Sequence, residues 1–133
     1  MKPSNFQFTD PYLFRLDYQI NKDFVPAEYA EGVEVSVSFD HRIGKDEEAK
    51  EAIVELTVTI GQEDASVPFF IVATEAAKFR WNDEMTEEMV EVLLNQNAPS
   101  LLLGYLRPLV ATVTAAGPLG AYHIPFMNFT KTE

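Results

Sequence analysis

Apolar residues recur at every second position through three stretches of this chain and then, beyond Trp81, at the spacing of a helical face. That change of period constrains the fold more than any other feature. Phe14, Leu16, Tyr18 and Ile20 alternate with Arg15, Asp17 and Gln19, so a strand here places its apolar groups on one face. Residues 21–32 carry Pro26 and Gly32 and read as a connection; Val33, Val35, Val37 and Phe39 then alternate with Glu34, Ser36, Ser38 and Asp40. A charged turn over 44–50 leads to Val54, Leu56, Val58 and Ile60, a third half-buried strand rich in β-branched residues. After a turn at 61–64, the segment 67–73 is apolar throughout apart from Pro68, which predicts a strand covered on both faces with the proline near its start or at an edge.

Met85, Met89, Val92, Leu93 and Gln96 follow helical spacing, with Asp83, Glu84, Glu87 and Glu88 placing negative charge in the first turns, where the helix dipole favours it. This helix is expected to stop at Asn97, Ala98 and Pro99. A second helix, capped by Ser100, turns Leu102, Tyr105, Leu106, Leu109, Val110 and Val113 one way and ends at Gly117 and Pro118. Pro108 removes the hydrogen bond to Gly104 and predicts a kink or a later start. Strands followed by helices give an α+β fold, a four-stranded antiparallel sheet with two helices packed on one face. One domain over 1–133 is expected, with an arm at 1–11, the sheet within 12–80, helices within 81–117 and an extended, packed tail at 118–133.

A chain of 133 residues that is 47% hydrophobic can hold a core without staples. It has no cysteine, which removes disulfides, thiolate nucleophiles and the common structural zinc sites, and which fits a reducing cytoplasm. A formal charge of −11 repels phosphate backbones and anionic lipid headgroups, so neither nucleic acid nor membrane insertion is expected. The N-terminus has no apolar run of signal-peptide length. The most apolar window, 98–116, has Arg107 and Pro108 at its middle and reads as buried in protein.

Catalysis has little to stand on. His41 and His123 lie far apart, there is no nucleophile elbow, and no metal-ligand or phosphate-cradling motif occurs, so no enzyme activity, metal or cofactor is expected. The acidic stretches Asp46, Glu47, Glu48 and Glu51, and Asp83, Glu84, Glu87, Glu88 and Glu91, read as solvated faces that could steer a basic partner. More informative is an asymmetry: between Val92 and Thr130 the only charged residue is Arg107. Such a stretch is covered either by packing and a homo-oligomer interface, or by a soft groove for extended peptides. Trp81, Met85, Met89, Tyr122, Phe126, Met127 and Phe129 are the candidate lining of that groove.

Several segments resemble a known family. The run 55–59, the turn 61–64, the strand up to Phe79, then Leu103, Gly104, Tyr105, Leu106 and Arg107, Gly117, and Ile124, Pro125, Phe126, Met127, Asn128 and Phe129 are similar in order to the protein-export chaperone SecB. The resemblance covers roughly 12–129. It implies a four-stranded antiparallel sheet with helices on one side, assembled as dimers or tetramers, that holds unfolded polypeptides without ATP. It also implies an acidic outer sheet face that docks the export motor ATPase, with Asp17 and Asp64 at comparable places. The chain departs at Gly104, where the family has proline, and at Pro108, and it lacks most of the family's last helix. The alternative is a non-enzymatic adaptor on the same fold that binds one specific protein.

Overall fold

The computed structural model describes residues 2–26 and 32–129. Four strands, β1 (Gln7–Ile20), β2 (Val37–Asp46), β3 (Glu51–Gly61) and β4 (Phe69–Arg80), form one antiparallel sheet in the order β1-β4-β3-β2. Strands β2, β3 and β4 follow one another through short turns, and the longer 21–36 connection separates β1, at one edge, from β2 at the other. This is the Greek-key solution for antiparallel strands. On β3 the period-two pattern sorts cleanly: Ala52, Val54, Leu56, Val58 and Ile60 are buried on one face, while Glu55, Thr57 and Thr59 lie on the other. β4 is central, and its residues from Ile71 to Ala77 are buried on both faces, as its unbroken apolar run predicts. Pro68 stands just before that strand, where its carbonyl accepts from the Asn21 amide. Gly61 has a φ of 76°, and a Cβ there would lie 2.1 Å from the Phe69 carbonyl oxygen, so only glycine lets the chain turn into β4.

Strand limits differ from the periodicity for local reasons. β1 begins well before Phe14 because two register shifts, between Thr9 and Tyr12 and between Leu13 and Arg15, insert residues that break the alternation; Asp10, in the first, has a φ of 54°. Val33 and Val35 keep the alternating burial of an extended chain but lie ahead of β2. Their partner strand has run out, since the last ladder bonds join Val37 to Ile60 and the Gly61 amide to the Ser36 carbonyl. At its other end β2 continues to Asp46, whose carboxylate accepts from the Ala49 amide and closes the turn to β3.

The expected pair of helices is one helix. Segments α1 (Glu87–Val92) and α2 (Ala98–Ala115) are joined without a break by a π-helical turn at Leu93–Asn97. Thr86 is the N-cap, accepting from the Met89 amide at 3.1 Å. Pro99 was expected to end the first helix, because it lacks an N–H and crowds the carbonyl four residues back. The wider turn accommodates it: the Ala98 amide bonds to Leu93, five residues back. Ser100 is therefore no cap; it lies inside the helix and donates to the Gln96 carbonyl at 2.9 Å. Pro108 also lies within α2, on the exposed side with Gly104, so water can take the carbonyl that the proline leaves free.

The buried side of this helix is a ladder of every fourth residue: Val90, Leu94, Ala98, Leu102, Leu106, Val110 and Thr114. Steps of four overshoot an α-turn by about 40° each, and the wider π turn offsets that drift. Segment α2 packs on β3 and β4, and the core lies between them.

Candidate functional site

The uncharged third of the chain folds back on itself. After α2, residues 118–129 return antiparallel to the helix in extended form. The Tyr122 amide donates to Thr114 Oγ1 at 2.7 Å, itself bonded to the Val110 carbonyl. Arg107 Nε and Nη2 donate to the carbonyls of Ile124 (3.3 Å) and Pro125 (2.6 Å). Met127, Asn128 and Phe129 then face Gln96, Asn97 and Ser100 across a cleft at the π turn. Ile124 is buried in the core, Tyr122 meets Phe69 edge-on at 5.7 Å, and Phe129 meets Phe39 likewise at 5.7 Å.

The seven groove candidates fall into four places. Trp81 and Met85 line a small recess with Lys45, Lys50 and Val90, where Trp81 stacks on Phe6. Met89 lies outward beside Val92 and Leu93 as an exposed apolar patch. Tyr122, Met127 and Phe129 belong to the returning tail. Phe126 is 96% exposed, with the Arg107 guanidinium 5.5 Å from its ring centroid. The helix and the tail bring Met127 and Phe129 together at one cleft; Trp81 and Met85 share a separate one.

Asp17 lies on the sheet face away from the helix, paired with Arg15, and shares a shallow depression with Gln19, Glu63 and Phe70. Asp64 is in the β3–β4 turn, where its carboxylate accepts from the amide and hydroxyl of Ser66, and those bonds hold its pKa below the ordinary value. Glu63 is thus the acid that joins Asp17, a placement that spacing could not give. Asn21 staples the end of β1 to the same turn through Nδ2 bonds to the Gln62 and Val67 carbonyls. His41 sits in mid-strand on the helix side, with Nε2 3.1 Å from Asn95 Oδ1 at the π turn.

Pattern reading missed Glu75. It occupies β4 on the helix side, between Leu56 of β3 and Leu13 of β1 in register, and is 6% exposed. Among the described residues it has no ion pair or side-chain hydrogen bond; its carboxylate oxygens keep contact with solvent, and burial of the rest of the side chain raises its pKa with no charged neighbour contributing. The signal was there: Glu75 is the only charge between Asp64 and Lys78.

Residues 18–132 match the family model of the preprotein translocase subunit SecB. The chain belongs to the SecB family. Its fold is shared with the SecB-like chaperone Rv1957 of Mycobacterium tuberculosis, solved in complex with a ChAD peptide from the Rv1956 HigA1 antitoxin; the TM-score is 0.71 at 19% identity, over 92% of this chain and 90% of that one. A Streptococcus agalactiae protein of unknown function has the same fold at a TM-score of 0.54 and 16% identity, over 91% of this chain and 97% of that one. No curated protein sequence matches. Within the SecB family this chain therefore keeps the antiparallel sheet with a long helix on one face.

Proposed function

We propose that this SecB family member is a non-enzymatic, ATP-independent holdase or peptide-binding module of the cytoplasm that takes up unfolded or extended polypeptide. The observation that carries the reading is the family match over residues 18–132, and the peptide held by the fold relative Rv1957 supports it. The geometry is compatible with that work. The tail at 118–129 already lies extended along the helix, held by two bonds from Arg107 and one that Thr114 accepts, in place of a β-ladder, so this surface is suited to an extended chain. Met127 and Met89 supply adaptable contact surface. We also place a homo-oligomer contact on the outward apolar side of the helix, at Met89, Val92 and Tyr105, and docking of an export motor ATPase at Asp17 and Asp64.

The test is light scattering of a chemically unfolded, slowly refolding client diluted into buffer with and without the protein. Delayed aggregation at stoichiometric ratios is the expected result; an unchanged time course removes the holdase reading. A second reading, an adaptor for one specific protein, is favoured by the relative Rv1957, whose bound peptide comes from one named antitoxin. Co-purification of a single protein, in place of a heterogeneous set, distinguishes it.

A further inference from the structure

The bonds from α2 to the returning tail go to the tail's main chain. Arg107 Nε and Nη2 donate to the Ile124 and Pro125 carbonyls, and Thr114 Oγ1 accepts from the Tyr122 amide. Main-chain groups of that kind recur at the same spacing in every extended polypeptide, so Arg107 and Thr114 can read an extended chain whatever its side chains. Side chains add three inward anchors. Ile124 is buried in the core, Tyr122 meets Phe69 at the start of β4, and Phe129 meets Phe39 on β2. Between these anchors Phe126 is 96% exposed, so the tail leaves a large apolar group in water. The tail thus fills a seat suited to an extended chain and fills it imperfectly.

We propose that residues 122–129 are the resident occupant of the polypeptide site, a strap that an incoming extended segment displaces by taking over the main-chain bonds to Arg107 and Thr114. The proposal rests on the peptide-binding reading above and adds how the site is kept closed and which residues read the backbone of a client. Exchange is favoured over a second layer of chain laid on the strap. Thr114 Oγ1 donates to the Val110 carbonyl and accepts from Tyr122, so its place toward the tail is taken until the strap leaves. The core seat beside it is likewise filled, by Ile124. An internal occupant lowers the apparent affinity for a client by the fraction of molecules in which the seat stands open. Weakening the strap alone raises that fraction and tightens binding. Substitutions in the strap isolate this effect, because Arg107 and Thr114 serve strap and client alike.

The test uses a fluorescein-labelled short peptide of alternating leucines and serines, with fluorescence anisotropy giving its affinity for wild type, Ile124→Ala and Phe129→Ala. Each substitution removes an inward anchor of the strap and leaves Arg107 and Thr114 in place. Both variants are expected to bind the peptide about tenfold more tightly than wild type, because truncating a buried apolar side chain weakens the attachment of the segment that carries it. Hydrogen exchange followed by NMR supplies a second readout on the unmodified protein. The Tyr122 amide should exchange faster once wild type is saturated with peptide, while the β3 amides keep their protection. Equal affinity for wild type and both variants overturns the proposal and leaves peptide binding intact. A Tyr122 amide that keeps its protection in the saturated wild type does the same, and it decides alone if the truncations unfold the chain. Peptide that binds the variants and not wild type supports the strap. If it binds neither wild type nor the variants, peptide binding and the proposal fail together.

Discussion

Glu75 holds a carboxylate in a place where ionisation is penalised, and this should show in the pH dependence of stability. Its folded pKa is raised above the ordinary 4.5 by burial, so between those values the folded chain binds more protons than the unfolded one. By linkage, its contribution to stability falls as pH rises through that window. Glu75→Gln cannot titrate and escapes the loss. The difference in melting temperature between Glu75→Gln and wild type should therefore grow in favour of the variant from pH 4 to pH 7. Thermal melts followed by circular dichroism check this, and a difference that stays constant with pH contradicts it. The other acids cancel in the comparison because both proteins carry them. Glu75 was legible as an anomaly, one charge in an apolar strand, but its side of the sheet depended on the register with Leu56 and Leu13. Asp17 and Asp64 show the same limit. Their spacing gives no hint that Glu63, and not Asp64, shares the depression with Asp17.

At the scale of elements, Arg107 fixes the returning tail to α2, and the two carbonyls it meets belong to adjacent residues, Ile124 and Pro125. Arg107→Ala should release this segment and lower stability by about 1.5–3 kcal/mol, the range for hydrogen bonds to a charged group. Hydrogen exchange gives a sharper readout: the Tyr122 amide, held by Thr114 Oγ1, should lose protection before the β3 and β4 amides do. Equal protection in the variant and the wild type would show that packing of Ile124 and Phe129 holds the tail unaided. The strands were largely readable because one face of each is buried, which forces period two on the sequence. Two features were not. Bulges hid the first half of β1, since an inserted residue erases the alternation. The helix was split in two because Pro99 obeys a local rule that a π turn circumvents at the cost of one irregular turn, and the unbroken ladder from Val90 to Thr114 shows what drives that compromise.

The whole molecule carries −11, and the mutual repulsion of those charges opposes the compact state. Among the described residues few are compensated; the ion pairs, such as Lys45 with Glu91 and Lys50 with Asp83, lie near the surface. Raising sodium chloride from about 20 mM to about 500 mM shortens the Debye length from tens of ångströms to a few, so the melting temperature should rise at pH 7. A fall would mean that the surface pairs outweigh the long-range repulsion. The same field should draw basic segments toward the protein and weaken their binding as salt increases.

The sequence by itself determined the class of the fold, the number of strands, the uncharged third and the resemblance to SecB, because burial periodicity and composition are local properties that a linear pattern records. It also determined that Leu56, Val58 and Leu106 would be core, since each lies on an unbroken apolar face. Tertiary structure alone decided the strand order β1-β4-β3-β2, the fusion of the two helical segments, and the return of the tail along α2. It also decided that Glu75 would stand beside an open strip at Leu13 and Leu16. These depend on which distant residues become neighbours, and that is fixed by the joint packing of sheet and helix, not by any one segment's own preference.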